Sequence, residues 1–194
     1  MTLTDIPVLL YYFTFASLLV VAFVYDLKHK LLPDFVSYGI ILLFLVRFLF
    51  AVSFRVWGFG IWNLFVNWKL EIGNYFYDIL ASVAILALFG GIWFFSKGTA
   101  MGFGDVKLAP AIALFLGFQK GVLAVLFSFW IGAVVGIFLI MITRFSNIPK
   151  SDFGNGGRRF SLKSEIPFGP FLALGGMISL LWGNELLTWY FNLI

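Results

Sequence analysis

Apolar stretches of roughly twenty residues recur along this chain, at 6–25, 36–54, 75–95 and 121–143, with a last one at 168–182 that can continue through the apolar tail. About twenty residues of helix span the ~30 Å hydrocarbon layer of a bilayer. Lipid offers no partner to a backbone N–H or C=O, so each such run must satisfy itself as a helix. A shorter apolar piece at 106–118 adds a sixth segment. The chain is 62% hydrophobic and 11% charged, whereas soluble domains carry about a quarter charged residues. The expected fold is therefore all-α: a polytopic membrane helix bundle of about six membrane segments, forming one domain over residues 1–194. The N-terminal run is not read as a cleavable signal, because it lacks a basic flank and runs into Asp26 rather than a small-residue cleavage site.

Orientation follows from the distribution of Lys and Arg. Lys28, Lys30, Lys97, Lys107, Arg144, Lys150, Arg158, Arg159 and Lys163 fall on one side of the predicted spans, against Arg55, Lys69 and Lys120 on the other. The richer side is expected to be cytoplasmic, which places both termini outside. The net charge of +4 is thus explained by positive-inside loops, and no nucleic-acid partner is expected. Residues 55–74, with Trp57, Trp62 and Trp68 among few charges, read as a helix lying in the interface. Residues 147–165 read as a mobile polar loop. Arg47, inside the second span, is expected to snorkel outward.

Two carboxylates sit where apolar runs meet polar loops: Asp26, in YDLKHKLLPD, and Asp105, in GFGD. Charge at such depth is costly, about 2.5–3.5 kcal/mol for an aspartate at a helix centre on insertion scales, and is usually retained for function. Both fall on the predicted cytoplasmic side. Two carboxylates brought within a few Å cannot both ionise cheaply, so they share a proton over a wide pH range. The ionised one can take a proton from water while the protonated one polarises a peptide carbonyl. Gly102 and Gly104 permit close backbone approach ahead of Asp105, and Pro33 disfavours helix at Leu32 and helps end the first helical segment.

Other polar residues have plainer readings. Asp34 suits an N-cap for the second span, Asp78 is expected at the outer interface, and His29 at a solvated basic turn. Lys107 is equally compatible with a charge anchor, an influence on local titration, or a substrate contact. With no Cys and one His, neither a metal site nor a cofactor is expected.

Three blocks together resemble the bacterial type IV prepilin peptidases, a group of membrane aspartyl proteases: DLKHKLLPD (26–34), MGFGDVKLAPAIALFLG (101–117) and IPFGPFLALG (166–175). The resemblance implies that Asp26 and Asp105 are the catalytic aspartates. It also implies that the substrates are prepilins or pseudopilins, whose short basic leaders are cut at the cytoplasmic membrane face. Type IV pilus and type II secretion systems are the settings it implies. Many members of that family carry a preceding span, a zinc-binding cytoplasmic segment with two CxxC pairs, and a methyl-transfer activity. This Cys-free chain reads as a short form without that segment, which puts methyl transfer in doubt. Two alternatives use the same residues differently: a proton-coupled transporter, weakened by the lack of a repeat between the halves, and a catalytically silent protein that binds pilin helices.

Overall fold

The computed structural model describes residues 5–29, 31–57, 75–99, 101–145 and 167–193. They form six helices: α1 (Asp5–His29), α2 (Asp34–Trp57), α3 (Tyr75–Phe95), α4 (Phe103–Leu116), α5 (Phe118–Phe145) and α6 (Gly169–Leu193). Most of the interfacial helix expected over 55–74, and the whole loop expected over 147–165, lie outside the described residues. Among the described residues four stretches are long and apolar enough to cross a membrane: Leu9–His29, Tyr75–Phe95, Phe118–Ile142 and Gly169–Leu193. Their outward faces are apolar too, with Phe13 at 69% and Val134 at 67% exposure. In water such a surface would be untenable; in lipid it is the solvated face. The chain is a helical membrane protein.

The short helix α4 is the axis of the bundle. Its fourteen residues rise roughly 21 Å at 1.5 Å each, too little to cross alone. It packs against α2, α3, α5 and α6, while α1, α2 and α6 close one side of the bundle and α3, α5 and α6 another. Val106, Leu108, Ala109, Ala111, Ile112, Ala113 and Phe115 are all buried. The alternation of small with bulky residues lets neighbouring backbones approach. Phe115 stacks on Phe15 of α1 with ring centroids 3.7 Å apart. Leu19, Ile40, Phe89 and Leu172 complete the core from four other helices.

Helix α4 ends at Gly117, whose φ of 86° closes the helix through an N–H bond to Ala113 O. Left-handed backbone of this kind favours glycine. The chain reverses at once into α5, leaving that helix's first amides to be satisfied inside the protein. Asp78 does so. Its Oδ1 accepts the backbone N–H of Phe118 at 2.8 Å, and the residue is 6% exposed. Asp78, expected at the outer interface, is in the first turn of α3 and faces the protein: a buried α5 terminus needed an acceptor, and α3 supplied it. The Arg47 guanidinium, expected to snorkel outward, lies over the ring of Tyr75, the first residue of α3, 5.4 Å from the centroid, where a cation gains from the ring face. Phe44 and Phe48 pack on the same ring from α2.

Candidate active site

Both predicted aspartates lie at the end of the bundle opposite Asp78. Asp26 is in the last turn of α1, which continues past the apolar run to His29. Leu31, Leu32 and Pro33 are non-helical, and Pro33 O accepts the first bond of α2 from Val36 N–H at 3.1 Å. Pro33 thus separates the two helices, as expected from its sequence position. Asp105 is in the first turn of α4, three residues after the N-cap Gly102, which is extended at φ −68° and ψ 145°. Asp105 is 5% exposed and Asp26 4%.

Each carboxylate lies beside a helix N-terminus. The Gly102 backbone N–H serves the Asp105 carboxylate, the acidic half of a capping box in which the third helical residue reaches back to the cap amide. The Gly169 N–H, at the start of α6, serves Asp26. Free amides and the helix dipole favour an anion at both places. Each aspartate keeps one buried oxygen, Asp26 Oδ2 and Asp105 Oδ1, that accepts no hydrogen bond from any described residue. The charge of Asp26 also reaches Asp105. Buried acceptors are normally paired, so two orphaned carboxylate oxygens in one neighbourhood mark a place built for a polar reactant.

The three sequence blocks meet around Leu32. A Cβ on Gly104 would stand 2.6 Å from Leu32 Cβ. A Cβ on Gly169 would stand 3.0 Å from Leu32 Cδ1 and would collide with Asp26 Oδ2. These two glycines are there for close approach: one brings the α4 terminus against the 31–33 segment, the other lets the α6 terminus reach Asp26. The packing role of Leu32 and the place of Gly169 beside Asp26 were not read from the sequence. The signal for Gly169 was present in IPFGP, where glycine followed by proline suits the first turn of a helix, but its partner Asp26 is 143 residues away in sequence.

Lys107 and Asp34 find each other. Lys107 Nζ donates to Asp34 Oδ1 at 2.8 Å, with the side chains 25% and 56% exposed. The ammonium also lies 4.7 Å from the Phe103 ring centroid. Among the three readings of Lys107, this contact fits the charge anchor, tying the start of α4 to the start of α2. The Asp34 carboxylate is correspondingly turned to Lys107, although the residue does open α2 as expected. Among the described residues no cluster of three or more His, Cys, Asp or Glu could hold a metal.

The family model of the type IV leader peptidase family matches residues 13–137. The chain is 29% identical over 170 residues to a prepilin leader peptidase/N-methyltransferase of Aeromonas salmonicida (strain A449), covering 87% of this chain and 48% of that protein. Proteins bearing the same name in Xanthomonas campestris pv. campestris and Legionella pneumophila are 31% and 28% identical, over 85% of this chain and 47% of theirs in both cases. The chain thus spans about half the length of the curated relatives it matches. No solved structure matches it. With the family's match running through both aspartate-bearing helices, the chain belongs to the type IV leader peptidase family.

Proposed function

We propose that this chain is an aspartic endopeptidase of the bacterial inner membrane that removes the basic leader from prepilin or pseudopilin substrates at the cytoplasmic face. The observation that carries the reading is the pair of buried aspartates, each beside a helix terminus and each with one oxygen unclaimed among the described residues. Family membership supplies the reaction class. In this account about six membrane segments, the fourth of them short, leave both termini outside, with the basic side of the bundle facing the cytoplasm. A substrate whose apolar helix lies in the bilayer and whose basic leader lies in the cytoplasm presents its scissile bond at the depth of Asp26 and Asp105.

The chemistry is a balanced proton exchange. The ionised carboxylate takes a proton from a bound water as the water oxygen adds to the scissile carbonyl carbon. The protonated partner donates to the carbonyl oxygen, giving a neutral tetrahedral intermediate. Collapse breaks the C–N bond: the protonated carboxyl gives its proton to the departing amine while the ionised one takes a hydroxyl proton from the intermediate, so the pair returns to its singly protonated form. The two groups titrate as a unit, so cleavage should follow a bell-shaped pH profile. Co-expression with a prepilin-like substrate tests the reading: a product shortened by its leader, identified by mass and N-terminal sequence, is expected. Intact substrate beside well-expressed chain would count against it.

The Lys107–Asp34 pair is assigned an anchoring role with a modest effect. Part-exposed ion pairs contribute little because solvent screens them. Lys107→Met and Asp34→Asn are each expected to leave the cleavage rate within about threefold of wild type. A loss comparable to that of Asp105→Asn in the same assay would place Lys107 in contact with the substrate or the carboxylates instead.

A further inference from the structure

A polar seam joins α3 to the helix that carries Asp105. Asp78 and Ser82 are four residues apart, hence on one face of α3. Asp78 Oδ1 accepts the Phe118 N–H at 2.8 Å. Ser82 Oγ donates to Pro110 O at 3.0 Å, in the middle of α4. Pro110 has no N–H, so the α4 ladder lacks one of its own bonds at that point. The seam therefore grips α4 where it is weakest and again at its end, through the turn at Gly117. A Cβ on Gly117 would stand 3.0 Å from Asp78 Oδ1, so the turn lies directly against the carboxylate.

This clamp has no part in the proton exchange itself, since it lies at the far end of α4 from Asp105. Helix α4 is nevertheless one short continuous helix of fourteen residues. At 1.5 Å rise per residue, a slip or rotation at its Gly117 end is carried to its first turn. The clamp at the other end, the Lys107–Asp34 pair, is partly exposed to solvent.

We infer that Asp78 is a positioning residue for Asp105, its carboxylate fixing the depth and rotation of α4 through the Phe118 amide. The inference rests on the hydrolase reading only for its effect on rate; the placement of Asp105 can be measured without any substrate. Because the chain contains no Cys, Asp105→Cys provides a single thiol whose alkylation rate reports the local geometry. Adding Asp78→Ala is expected to change that rate by fivefold or more, about 1 kcal/mol of altered accessibility, and Asp78→Asn to leave it near the starting value, because the amide oxygen still accepts the Phe118 N–H.

In the cleavage assay, with Asp105 present, Asp78→Ala is expected to lower kcat about ten- to a hundredfold, the scale of a misplaced reacting group. KM should change little, the pH profile should move, and Asp78→Asn should restore both. An unchanged alkylation rate in Asp78→Ala, or an Asp78→Asn as impaired as Asp78→Ala, would overturn the inference. If Asp78→Ala is not recovered folded from membranes, Ser82→Ala takes its place with a smaller shift of the same kind, and no shift there is equally contrary. An alkylation change without wild-type cleavage would support the positioning role and count against the hydrolase reading, so the two failures are distinct.

Discussion

Asp26→Asn and Asp105→Asn are each expected to reduce leader cleavage on the order of a thousandfold or more, and the double variant to be no worse than the worse single one. General acid–base catalysis by one positioned group contributes about 10²- to 10⁴-fold, and here both groups are required in one proton exchange. Groups that act as a unit lose most of their effect when either is removed. An Asn at either position preserves shape and an acceptor oxygen but can neither accept the water proton nor donate to the carbonyl. Since each carboxylate keeps one buried oxygen unpaired among the described residues, the substitution removes a costly feature rather than a packing contact. Both variants should insert and fold as wild type does. Additive losses, with the double variant multiplying the two effects, would mean that the aspartates act in separate steps.

Gly169→Ala should be the next most damaging change, lowering the cleavage rate about a hundredfold. The added methyl would meet Asp26 Oδ2 within contact distance and stand 3.0 Å from Asp26 Cγ and from Leu32 Cδ1. Neither neighbour can give way freely: Asp26 is in a helix, and Leu32 is pressed against Gly104. The carboxylate must therefore leave the α6 amide that holds it, and a displacement of about 1 Å can cost a hundredfold in rate. Membrane levels should fall far less than activity, because α6 also packs on α1 and α5 well beyond its first residue, with Gly175 against Ser128, Gly176 against Leu19 and Gly183 against Lys120. Measuring cleavage per folded molecule separates the two effects. Activity near wild type in Gly169→Ala would show that the α6 terminus does not hold Asp26 during the reaction.

The legible part of this fold is the part governed by hydropathy. The all-helical bundle and the exceptional shortness of its fourth element followed from apolar run lengths alone, because lipid imposes one rule on every span. Helix ends were less readable. The run containing Asp26 loses its apolar character at Tyr25, yet α1 continues to His29, since a polar last turn at an interface costs a helix nothing. Asp26 and Asp105 stood out for the same reason that the spans did: charge is conspicuous in an apolar chain.

The partners of polar groups could not be read in this way. Asp78 looked like one more interfacial acid because the need it meets, the free Phe118 amide, arises only once α4 and α5 turn sharply at Gly117. Nothing in the run around Arg47 indicated the Tyr75 ring that its guanidinium lies over. Gly169 carried no visible reason for being glycine until α6 was placed against Asp26. Each depends on contacts between helices distant in sequence, which run length and periodicity do not encode.

The central claim is that Asp26 and Asp105 of this chain hydrolyse a leader peptide bond together. Its most direct test is cleavage of a synthetic prepilin-like peptide by the purified chain in lipid vesicles, comparing wild type, Asp26→Asn and Asp105→Asn after matching their helical content. Cleavage at a single bond by wild type, with both variants inert, is the predicted result. Cleavage by either variant at the wild-type rate would contradict the account.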